Sequence, residues 1–135
     1  MQPAGPEKGV GIMSATFGKE VSDPQWHGAP DYKEWLDWMK KYNPSADLND
    51  NLNAYGYVLA HRLVAVLKAC GDNLTRENVM KQATSIYDEN APLALPGMVV
   101  SSSAEDYAPI KQMQLIKFDG TTWKPFGALI SGAMN

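Results

Sequence analysis

The stretch NLNAYGYVLAHRLVAVLKAC, residues 51–70, constrains the fold of this chain more than any other. Residues 47–50 before it offer several N-cap side chains, and Gly71 after it stands where a glycine ends a helix. Leu52, Tyr55, Leu59, Leu63, Val66 and Cys70 fall on one helical face, while Ala54, Val58, Ala60, Val64 and Ala65 make much of the remainder apolar or small. A helix apolar most of the way round is buried on more than one side, so this segment is expected to be the central helix of the fold. Its entry carries Asn53, Tyr55 and Tyr57 close together. Either the tyrosines are core or the helix mouth faces a ligand, and periodicity does not decide between them. Tyr57 lies about 200° around the helix from Tyr55 at ~100° per residue, so both touch one solute only if it sits over the helix end.

The flanking sequence supplies further elements. GVGIMSATF, residues 9–17, is small, apolar and β-branched, as suits a buried strand. Residues 18–30 form a polar loop broken by Pro24 and Pro30, with Trp26 expected to pin it to the body. DYKEWLDWMKKY, residues 31–42, places Tyr32, Trp35, Leu36 and Met39 on one face, with acid early and lysine late as the helix dipole favours. Thr75 caps a third helix expected over 76–87, with Val79, Ala83 and Ile86 inward. Residues 97–102 and 110–118 read as strands, Asp119-Gly120 as a hairpin turn, and 121–126 as a return strand that Pro125 restricts to an edge. Residues 127–135 are expected to be a lightly docked tail. The order of strand, three helices and then strands is α/β, but it is short of strands for a complete doubly wound sheet. Helix 51–70 needs more sheet than residues 9–17 offer, which implies a missing partner segment.

Several functions find no support in the residues. With 135 residues the chain is one domain in size. Its net charge of -3, without a basic run, gives no footprint for nucleic acid. No apolar stretch reaches the ~18 residues of a membrane span. A single cysteine, Cys70, excludes an intrachain disulfide framework. His27 and His61 stand far apart without metal-ligand spacing, and both are expected to be structural. GVGIMS lacks the spacing of a phosphate loop, the serines at 101–103 have no adjacent base, and no nucleophile elbow occurs. No catalytic constellation and no cofactor is indicated.

Taken in order, GVGIMSATF, a Trp-bearing loop, YKEWLDWMKKYNP, the YGY-led helix, CGDNLTREN, LPGMVVSS, PIKQMQL and FDGTTW resemble the C-terminal part of periplasmic substrate-binding proteins. The likeness is to the branched-chain amino-acid type that serves ABC importers. It implies part of a type I periplasmic-binding-protein fold, whose two α/β lobes are joined by crossing strands and close on a solute. Residues 9–17 would be a crossing strand, 18–96 the helical part of the first lobe, and 97–126 the returning strands and hairpin of the second. The resemblance implies an extracytoplasmic, non-enzymatic, periplasmic component that binds a small amphipathic solute (a branched-chain amino acid, an amide or a small aromatic acid) and delivers it to a membrane permease. Asn53, Tyr55 and Tyr57 would line the cleft, with Ala15, Thr16 and Phe17 as hinge and lining. The family's N-terminal portion has no counterpart here, so the chain is expected to carry part of the pocket. Its partners would be that portion or a second copy. A ligand-sensing domain of the same fold and a self-associating, non-enzymatic fragment are the alternatives.

Overall fold

The computed structural model describes residues 5–132. In chain order it contains β1 (Met13–Thr16), α1 (Pro30–Tyr42), α2 (Asn51–Cys70), α3 (Arg76–Ala83), β2 (Tyr87–Asp88), β3 (Val100–Ser101), β4 (Gln112–Phe118) and β5 (Trp123–Ser131), with single 3-10 turns at Pro6–Gly9 and Pro24–Trp26. The strand, three helices and strands with a final hairpin follow the order read from the sequence.

Local chemistry explains the helix limits. Pro30, with its fixed φ and no N–H to leave unpaired, opens α1, and Asp31 in the first turn and Lys40 and Lys41 in the last suit the backbone charge at its ends. The Asp50 carboxylate accepts the Leu52 amide at 2.9 Å at the head of α2, and Gly71, at φ 56, lets the chain leave its end. Thr75 caps α3 through the Asn78 amide. α3 stops four residues short of the expected 87. The Thr84 hydroxyl donates to the Met80 carbonyl at 2.8 Å and the Ser85 hydroxyl to the Lys81 carbonyl at 2.7 Å. These side chains take up the last carbonyls, and the Ile86 carbonyl then accepts the Ser102 amide, starting an extended path.

The strands form two antiparallel sheets, β1-β4-β5 and β2-β3. Residues 119–122 close the β4–β5 hairpin, where Asp119 Oδ1 accepts the amides of Thr121 and Thr122, each at 2.8 Å, and Gly120 takes φ 104. Pro125 lies on β5, an edge strand. Three expectations are corrected here. Residues 9–17 are not a buried strand: Pro6–Gly9 is a 3-10 turn, Gly11 has φ 91, and Val10, Ile12 and Met13 are exposed, with no described element packed over them. Residues 97–102 yield only the two-residue β3, since Gly97 at φ 81 and a Met98-to-Leu95 turn bond delay it. The tail expected from 127 is instead strand as far as Ser131, with the Gly132 amide bonded to the Lys111 carbonyl at 2.8 Å; residues 133–135 lie outside the described residues.

The core joins α1 to one side of α2. Tyr32, Trp35 and Met39 pack with Ala54 and Tyr57, closed by Val21 and Leu93 from two loops. The α1 stripe is thus core, as its spacing indicates. His27 stacks on Tyr32 at 4.6 Å between ring centroids, a structural role. For α2 the expectation of burial on several sides is corrected. Only Ala54, Tyr57, Val66 and Cys70 are buried, while Leu52, Tyr55, Leu59, Leu63, Val64 and Leu67 are exposed, Leu52 by 74%. Small and aromatic residues fill the narrow contact with α1; on the leucine face Val66 and Cys70 are buried, while Leu52, Leu59 and Leu63 stay exposed.

This burial pattern separates two positions sharply. Trp35→Ala should lower unfolding free energy by about 3–5 kcal/mol, and Leu63→Ala by no more than about 0.5 kcal/mol. Urea unfolding of the dilute chain checks both.

Candidate functional site

A groove of about 360 Å³ runs beside the leading turns of α2. One wall is α2, through Ala54, Tyr55, Val58, Leu59 and Arg62. The end of β1 and the residues after it supply Thr16, Phe17, Gly18 and Lys19, the loop before β3 supplies residues 91–94, and Ile86, Tyr107 and Ile110 close the far side. Carbon dominates this lining. Its backbone is fixed: the Lys19 amide donates to the Leu93 carbonyl at 2.8 Å and the Leu95 amide to the Phe17 carbonyl at 3.1 Å.

The Asp31 carboxylate holds the groove's base together. It accepts from Lys19 Nζ at 2.6 and 2.7 Å, from the Leu93 amide at 2.9 Å and from the Tyr32 amide at 3.0 Å. Leu93 has φ 57, in the left-handed region that costs a branched side chain energy, and here both its backbone groups are hydrogen-bonded. Burial pushes the Asp31 carboxyl up, but the Lys19 hydrogen bond, the Leu93 amide and the Lys19 charge together outweigh it and bring it below the ordinary carboxylate range. A second ion pair, Arg62 to Asp88 at 2.9 Å, links α2 to β2.

The structure brings Thr16, Phe17 and Tyr55 to one groove. Tyr57 lies elsewhere, buried edge-on to Trp38 at 5.5 Å between centroids, and burial, with the charges of Glu34 and Asp31, raises its phenol. Asn53 is half-buried and its amide donates to the Asp47 carbonyl at 2.9 Å, so it closes the helix entry rather than lining the groove. Ala15 is exposed and lines a second, neighbouring hollow of about 240 Å³ with Trp26, Glu20 and Trp123, which shares Thr16 and Gly18 with the groove. Lys19, Arg62, Ile86 and Tyr107 were not foreseen. Arg62 follows Tyr55 and Leu59 at i+7 and i+3 on the helix, a signal the sequence did contain; Lys19 and Tyr107 arrive through loops and have none. Among the described residues, no group of three His, Cys, Asp or Glu side chains is placed to hold a metal, and no helix is long and apolar enough to cross a membrane.

No family model and no curated protein matches the chain. Among solved structures it is similar to one described as the crystal structure of a branched chain amino acid ABC transporter from Thermus thermophilus with bound valine, with a TM-score of 0.69 and 16% identity. The match takes in 96% of this chain and 37% of that one. The chain has part of a periplasmic-binding-protein fold. At 16% identity the likeness is one of fold, and the periplasmic-binding-protein piece seen here spans well under half of its neighbour's length.

The depressed Asp31 carboxyl carries a pH signature. Its stabilising effect is complete above the unfolded value of about 3.9 and disappears as pH falls through the lower folded value. Urea midpoints measured from pH 6 downward should therefore fall below about pH 4, and Asp31→Asn should be less stable at pH 6 and show a flatter decline.

Proposed function

We propose that this chain is part of an extracytoplasmic solute-binding component of an ABC importer, and that its groove takes a small amphipathic solute for delivery to a membrane permease. Its place of work would be the periplasm, and it would bind without catalysing. The observation that carries this reading is the groove itself: in a chain with part of a periplasmic-binding-protein fold, Phe17 and Thr16 at the end of one strand face Tyr55 and Leu59 across a carbon-lined space. Half-exposed aromatic rings suit a ligand that must enter and leave. The candidate solutes are a branched-chain amino acid, an amide or a small aromatic acid. The neighbour's valine is a solute of that size. Residues 9–17 would act as a strand crossing between lobes, with 18–96 and 97–126 belonging to different lobes.

Isothermal titration with amphipathic amides and amino acids tests the reading. Phe17→Ala and Tyr55→Ala should each weaken binding by about fivefold, the value of roughly 1 kcal/mol of aromatic surface. Tyr57→Phe should leave affinity unchanged. Absence of binding across the panel would sink the proposal.

A second feature favours a partner of large size. Leu63 and Leu67, 56% and 41% exposed, continue the leucine face of α2 beyond the groove. Faces of this kind are usually covered, here by the remainder of such a fold or by a second copy. Light scattering on the chain alone should show association that Leu63→Glu with Leu67→Glu abolishes; a monomer at high concentration in the parent chain would contradict it.

A further inference from the structure

Two cations line the groove, Lys19 and Arg62, and each is already matched by a carboxylate of this chain. Both carboxylates are anchored to backbone. Asp31 accepts the Leu93 amide, and Asp88 Oδ1 accepts the Asn90 amide at 2.9 Å while its Oδ2 meets Arg62 Nη2 at 2.9 Å. The side chains of Lys19 and Arg62 are 10% and 20% exposed, so these charges are partly shielded from water and their pairing matters more than at an open surface.

We infer that Asp88 determines the groove's specificity by occupying Arg62, so that the groove receives the uncharged apolar end of a solute and disfavours a carboxylate. This rests on the reading of the groove as a solute site. A guanidinium is the natural partner of a solute carboxylate, which it can grip through two parallel hydrogen bonds. At Arg62 a carboxylate from solution has to displace one that is tethered, already oriented and held by its own turn. The displaced Asp88 then carries its charge without a partner. Asp88 is not among the lining residues and acts through Arg62, which makes it a positioning residue. Asp31 has the same relation to Lys19, but it also joins three segments of backbone and is a poorer place to change charge alone. The rest of the groove is consistent with the apolar end: Val58, Leu59, Ile86 and Ile110 present hydrocarbon.

The test uses two probes of one shape, isovaleramide and isovalerate, titrated calorimetrically into the full chain at neutral pH. The parent chain should bind the amide more tightly. Asp88→Asn, which keeps an acceptor for the Asn90 amide, should shift the preference toward the acid by about tenfold, the scale of a freed charge-assisted contact. Asp88→Ser, which also keeps an acceptor, is measured alongside, and circular dichroism compares the folds. Arg62→Met in the Asp88→Asn background should remove the gain. Amide binding with an unchanged acid preference in both Asp88 variants, or a gain that survives loss of Arg62, overturns the inference and leaves the groove as a solute site. Failure of every variant to bind either probe removes the solute site and the inference together.

Discussion

Four hydrogen bonds to one carboxylate set the frame of this chain. Asp31 gathers the Lys19 ammonium, the Leu93 amide and the Tyr32 amide, and so joins the segment leaving β1, the first turn of α1 and the loop before β3. Lys19 and Asp31 stand 12 residues apart and Asp31 and Leu93 stand 62 apart, so these bonds tie together distant parts of the chain. Leu93 adopts an unfavourable φ of 57 at this junction and is nonetheless buried, contributing its side chain to the core with Val21 and Trp35. Strain of that kind persists only when its surroundings fix it. The same junction sets the distance between Phe17 and α2, and therefore the width of the groove.

Above this frame, α2 is covered unevenly. Ala54 and Tyr57 pack with α1, Tyr55 and Leu59 line the groove, Val66 and Cys70 are buried, and Leu63 and Leu67 are exposed. The sheet repeats the arrangement, for Met13, Met113, Phe126 and Ile130 are exposed. A chain that stood alone would be expected to cover more of this carbon. A bare stretch of helix and a bare sheet face are what a piece of a larger fold would have, and the match takes in 37% of the neighbour's chain. The reading of groove and bare faces as parts of one solute-binding device is the proposal that joins these facts.

The sequence was informative where one local pattern determined one local outcome. The α1 stripe, the Asp50 and Thr75 caps, the Asp119-Gly120 turn and the edge position of Pro125 each depend on a few neighbouring atoms. The order of elements and the partial fold were legible through the ordered motifs. α2 was misjudged because hydropathy records what a face prefers to meet, and among the described residues much of its leucine face stays uncovered. Residues 9–17 were misjudged for the same reason. Of the candidate site residues, Thr16, Phe17 and Tyr55 line one groove, whereas Asn53 and Tyr57 turn to helix entry and core. Lys19, Asp31 and Leu93 were invisible because ion pairs and backbone bonds between distant loops leave no periodicity.

The central claim is that solute enters the space between the end of β1 and the leading turns of α2. Chemical-shift mapping of the folded chain with a saturating amphipathic amide tests it most directly. Perturbations are expected at Phe17, Tyr55, Leu59, Ile86 and Ile110, with Leu63 and Leu67 silent. Perturbations centred on Leu63 and Leu67, or spread over the sheet face, would contradict it.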